Sequence, residues 1–204
     1  ISSEDVLLDG QHRLLAIVET GIPAKVLFST DCDPAIYQAI DRGISRTNED
    51  STQIPRRIIE VLNFFAQIDS GTGRKTPGQL GELDGIFGAQ ARLLMDAAPS
   101  HRAVFSAAPV RAAACLLMME RESAAGEFMG LYRRLTLLDF EGLPPAAATF
   151  SKFALRRPNV GGCGGQMMLF CKALKALDTS RPGMACGYDE KARESALHRV
   201  NTLI

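Results

Sequence analysis

Apolar residues along this chain fall into two regimes. In the first fifty positions they come as short runs, Val6-Leu7-Leu8, Leu14-Leu15-Ala16-Ile17 and Val26-Leu27-Phe28, broken at Asp9-Gly10 and again near Gly21. Short apolar runs closed off by turn residues predict a buried strand over 6–8, a tight turn, a helix opening at Gln11-His12-Arg13, and a second strand over 25–28. Asp31 or Asp33 followed by Pro34 then predicts a helix start, with Ile36, Tyr37 and Ile40 as its stripe and Gly43 as its exit.

From about residue 51 the spacing becomes helical. Thr47 or Ser51 is expected to open a helix carrying Ile58, Ile59, Val61, Leu62, Phe64 and Phe65. Residues 69–85, dense in glycine, read as the clearest loop. Further helices are expected around Leu93-Leu94-Met95, over 110–119, and along Phe128, Leu131, Tyr132 and Leu135, punctuated by Pro99 and Pro109; residues 167–177 predict another. Met118, Met119 and Met129 suit core filling. The expected class is α+β and helix-dominated: a small β-α-β unit over 1–50, then a mainly helical domain, a bundle, over 51–204.

Composition narrows the function classes. At 204 residues and 46% hydrophobic, the chain can bury a substantial core. Its 23 basic and 23 acidic residues cancel, yet residues 1–50 hold four basic and nine acidic groups while 151–204 hold nine and four. That polarity either pairs one end with the other or leaves the basic end for nucleic acid. Five cysteines without C-x-x-C spacing and three scattered histidines predict no metal site and a reduced, cytoplasmic setting. No run is long enough to span a membrane. With no tryptophan and 6% aromatics, base stacking on aromatic platforms is disfavoured.

The chemistry concentrates at Asp9-Gly10-Gln11-His12-Arg13. The first amides of a helix have no internal partner and the macrodipole makes that end attractive to anions. An imidazole and a guanidinium in the same turn extend this to phosphate. The alternative is structural: Asp9 caps the amides, Arg13 pairs with an acidic neighbour and His12 bonds within the turn. Gly10 permits close approach of a ligand to the backbone. Residue chemistry alone leaves both readings open.

Asp9-Gly10-Gln11-His12-Arg13-Leu14 resembles the DGQHR box of the ParB/sulfiredoxin-like superfamily, which includes ParB-type partition proteins, DndB-like regulators of DNA modification and many phage and plasmid proteins. Asp41-Arg42-Gly43-Ile44-Ser45-Arg46-Thr47 is similar to a segment that often follows the box in phage relatives. The resemblance spans the first quarter of the chain. It implies that Asp9, Gly10, Gln11, His12 and Arg13 meet a nucleotide or DNA phosphate at a strand-to-helix turn. It also implies that the front unit, which begins only a few residues before the box, is N-terminally incomplete. Gln11 stands where sulfiredoxins carry a reactive cysteine, so sulfinic-acid repair is not expected. ParB proteins carry an arginine-rich box, so a CTP switch is not carried over.

Arg42, Arg46, Arg56 and Arg57 flank the expected join between units, and Arg74 and Lys75 sit in the expected loop; all six are candidate DNA or phosphate contacts. Gly71-Thr72-Gly73-Arg74-Lys75-Thr76 fails as a Walker A loop because Arg74 intrudes and a helix precedes it. A second glycine-rich stretch beside Arg156-Arg157 reads first as a flexible connection. The expected function is a phosphate-recognising, ParB-like binding or regulatory protein of a phage or mobile element. Its partner would be nucleic acid or a nucleotide, with oligomerisation left open. Two alternatives stand beside it. One is a nuclease or nucleoside triphosphatase using a nucleoside triphosphate with Mg²⁺, held by Asp9 or Asp41 and assisted by His12. The other is a protein-interaction or inhibitor module in which the box is only a turn.

Overall fold

The structure, a computed structural model, describes residues 1–2, 6–34, 52–70, 75–97, 104–156, 160–180 and 187–204. The chain divides into two units, Ile1–Gln53 and Ile54–Ile204. The expected helix after Pro34 lies outside the described residues.

The front unit holds one described helix, α1 (Gln11–Thr20). It starts at Gly10 and stops at Gly21, both in the left-handed region (φ 89° and 64°), and the Gly21 N–H donates to the Ile17 carbonyl at 2.9 Å. No strand forms here among the described residues, which corrects the expectation for 6–8 and 25–28. The reason is a missing ladder. A strand exists only through a partner's hydrogen bonds, and the described pairing is one parallel bridge, Ser2 to Cys32. It is closed by the Cys32 N–H donating to the Ile1 carbonyl at 3.1 Å and by the chain's amino terminus donating to the Ser29 carbonyl at 2.8 Å. The expected burial of these runs is corrected too. Val6 is exposed, Leu27 is 97% exposed, and no residue of α1 is buried.

The core lies in the second unit. Its elements are α2 (Arg56–Ser70), α3 (Pro77–Ala97), α4 (Ala108–Glu120), a short 3₁₀ turn, α5 (Ala125–Leu137), α6 (Pro145–Leu155), α7 (Gly162–Leu177) and α8 (Glu190–Asn201). Helix α4 is the axis: every residue from Pro109 to Met118 is buried, and α2, α3, α5 and α7 pack around it. A helix apolar on all sides has to be surrounded, and Ala112, Ala113 and Ala114 let neighbouring backbones come close. Phenylalanines fill the layers between helices. Phe65 stacks on Phe87 (centroids 3.9 Å, planes 14° apart), and Phe64 meets Phe170 edge-on at 5.2 Å.

Two helix starts differ from expectation. Helix α2 opens at Arg56, behind Pro55, whose carbonyl accepts from Ile58 and Ile59. The loop expected over 69–85 is mostly helix: α2 runs through Ser70, and α3 takes in Gly78, Gly81 and Gly85. The stronger local signal is Thr76-Pro77-Gly78-Gln79. Thr76 Oγ1 accepts from the Gln79 N–H at 3.3 Å while Gln79 Oε1 accepts from the Thr76 N–H at 3.1 Å, with Pro77 in the first turn. This reciprocal cap nucleates a helix that glycine content argues against.

Gly81 and Gly85 are exposed, and a Cβ at either would meet nothing within 4 Å. Replacing both with alanine is expected to raise the stability of the helical unit by about 1–2 kcal/mol, from lower unfolded-state entropy and better helix propensity. Urea unfolding followed by circular dichroism reads this directly. Gly88→Ala should gain less, because the Asp84–Arg92 ion pair (2.8 Å) occupies the space its Cβ needs and has to move aside.

Candidate functional site

The start of α1 is set by Gly10. Its φ of 89° suits glycine alone without strain, its carbonyl accepts from the Leu14 N–H at 3.0 Å, and a Cβ there would meet nothing within 4 Å. Gly10, not Asp9, is therefore the cap residue, and it offers no side chain to the first-turn amides. This corrects the structural alternative in its simplest form. Asp9 lies exposed, one residue ahead of the cap.

Gln11, His12 and Arg13 are all exposed, and their side chains take no hydrogen bond or ion pair among the described residues. The macrodipole and an unpaired guanidinium thus point outward from the same turn. Beside them lies a cavity of about 500 Å³ within the front unit. Asp9, Gly10 and Arg13 line one side, Leu14 and Ile17 continue along the helix, and the returning segment contributes Lys25, Val26 and Phe28. Gln11 and His12 do not line it. The cavity joins an apolar wall to two cations, Arg13 and Lys25, and one carboxylate, Asp9. Lys25 was readable only as the first residue of an expected strand. Its place on the same cavity as Arg13 comes from the chain's return after Gly21.

The other candidates are not brought to this turn. Arg42, Arg46, Arg74 and Asp41 lie outside the described residues. Arg56 and Arg57 form the first turn of α2 in the second unit. Arg56 approaches Glu60 at 3.6 Å, and the Arg57 carbonyl accepts from Arg111 at 2.8 Å. Lys75 sits half-buried just before the Thr76 cap.

No cluster of three or more potential metal ligands occurs among the described residues. Cys115 is buried within α4 and Cys171 within α7; burial pushes their thiols up to about 12 and about 11, so both stay protonated and poor nucleophiles. Cys163 is exposed at the start of α7. No helix among the described residues is long and apolar enough to cross a membrane. Compared with family models, with curated proteins and with solved structures, the chain matches none.

Proposed function

We propose that the front unit is a ParB/sulfiredoxin-like phosphate-binding element, and that the protein is a binding or regulatory protein acting on a nucleotide or on DNA. The observation that carries this reading is Arg13: exposed, without an ion pair among the described residues, and on the wall of a cavity that begins at an α1 start whose cap residue has no side chain. A phosphate there would accept hydrogen bonds from first-turn amides and a paired contact from the guanidinium. Lys25, which lines the same cavity, would add a second positive charge.

The finer fold assignment rests on a smaller feature. Ser2 and Cys32 pair in parallel with α1 between them in sequence, the connection that defines a β-α-β crossover. In this reading residues 1–2 and 29–32 mark the two strand positions of that crossover.

The test uses the full chain. Thermal shift and calorimetry with nucleoside triphosphates and with a short duplex DNA should show saturable binding by wild type. Arg13→Ala should weaken it by roughly tenfold or more, the effect of losing one charge-assisted contact, and His12→Ala by less. For a DNA ligand, binding should fall steeply with salt. No binding by wild type, or binding untouched in the Arg13→Ala variant, would refute the reading. Mg²⁺-dependent release of phosphate would instead move the same turn to catalysis.

A further inference from the structure

The second unit carries a cleft unrelated to the front turn. It lies between α2 and α7 at the start of α4 and encloses about 480 Å³, the size of a small-molecule site. Helix α2 presents Glu60, Asn63, Phe64 and Gln67 to it, positions at helical spacing on one face. Helix α7 answers with Gln166 and Leu169, and Val160 closes the end. Val160 is held in place by backbone contact: a Cβ on Gly165 would lie 2.7 Å from the Val160 carbonyl carbon, so glycine is required there.

Three carboxamides therefore converge on one cavity. None of Asn63, Gln67 and Gln166 takes a hydrogen bond among the described residues, and Asn63 Oδ1 is fully buried without a partner. Asn63 Oδ1 has essentially no accessible surface, so the hydrogen-bonding groups that a ligand in the cleft meets are those of the half-buried Gln67 and Gln166. Among the described residues that line the cleft, the charge is already matched: Glu60, the one charged side chain among them, receives Arg111 Nη2 at 2.8 Å. A charged ligand would enter without a counter-ion, while a neutral one with donors and acceptors along its edge would satisfy the amides. Carboxamides pair with such edges through two parallel hydrogen bonds, and Val160, Phe64 and Leu169 supply an apolar surface for a flat face.

From this we infer that the cleft binds a neutral heterocycle with adjacent N–H donors and carbonyl or ring-nitrogen acceptors, the chemistry of a nucleobase. The inference is independent of the front turn, so the probes are nucleosides, which carry no phosphate. Uridine, cytidine, adenosine and inosine are titrated at millimolar concentration against the full chain, with ligand-observed NMR and thermal shift as readouts. At least one should bind saturably. Gln166→Met and Gln67→Met, which keep volume but lose hydrogen bonding, should each weaken it by roughly tenfold. The Arg13→Ala variant should bind that nucleoside as wild type does, which separates this site from the front turn. Circular dichroism confirms that the variants fold. Absence of saturable binding by all four nucleosides overturns the inference. So does binding unchanged in both glutamine variants.

Discussion

Phe87→Ala should unfold the helical unit more readily than any other single truncation considered for this chain. Phe87 is fully buried and lies flat on Phe65 at 3.9 Å, at the meeting of α2 and α3, with α4 against both. Truncation removes a whole ring from a layer that cannot collapse inward without breaking the α4 contacts. The expected loss is about 3–5 kcal/mol, the range for phenylalanine removed from a closed core. For a chain of this size that lowers Tm by roughly 10 °C or more. Urea unfolding followed at 222 nm measures it. Phe87→Leu should recover most of the loss because a leucine refills much of the space. A cost below about 1 kcal/mol for the alanine variant would mean the Phe65–Phe87 stack is not part of a tight core.

The second large effect is asymmetric. Arg111 is 6% exposed in α4, donating through Nη2 to Glu60 and through Nη1 to the Arg57 carbonyl. Glu60 is the opposite case, with 43% of its side chain exposed. Glu60→Ala strands a buried cation, at a cost on the order of 2–3 kcal/mol, tempered because water reaches the carboxylate end of the pair. Arg111→Met leaves behind a carboxylate that water can solvate and an Arg57 carbonyl that loses one donor, and methionine keeps the packing of the stem, so its cost should be smaller than that of a stranded buried cation. Arg56→Ala serves as the control: its side chain is 81% exposed and 3.6 Å from the same carboxylate, and removing it should cost well under about 1 kcal/mol. The ordering Glu60 above Arg111 above Arg56 is the result to check. If Arg111→Met were the most damaging of the three, this account of the pair would be wrong.

Both effects belong to a part of the chain that was largely legible beforehand. Ile58 through Phe65, 110–119 and the Phe128–Leu135 stripe all mark helices of the second unit, because helical periodicity survives any arrangement of neighbours. The misreading over 69–85 has a local cause. Glycine count was weighed above the Thr76–Gln79 capping pair, and a cap that satisfies two orphan donors outweighs the propensity cost of scattered glycines.

The front unit shows the converse. Val6–Leu8 and Val26–Phe28 carry strand composition, yet strand formation is a property of pairs, and the pairing described is one bridge. At the turn itself, Asp9-Gly10 reads equally as a carboxylate cap or as a glycine corner. Only the backbone conformation at Gly10, with φ of 89°, puts the cap on glycine and leaves Asp9 outside. The cleft between α2 and α7 was invisible for a related reason: Asn63, Gln67 and Gln166 look like ordinary polar positions until two helices place them around one space.

What the order of residues determined by itself was local: where apolar faces recur with helical period, and that a glycine, an imidazole and a guanidinium share one first turn. Those follow from covalent spacing and short-range propensity. What the tertiary structure decided was which groups meet a partner among the described residues and which do not: Arg111 is spent on Glu60, while Arg13 faces a cavity with Lys25 and three carboxamides take no hydrogen bond there. Hydrogen bonds and ion pairs form between groups brought together from distant positions, so whether a polar group is satisfied is settled only once the chain has packed.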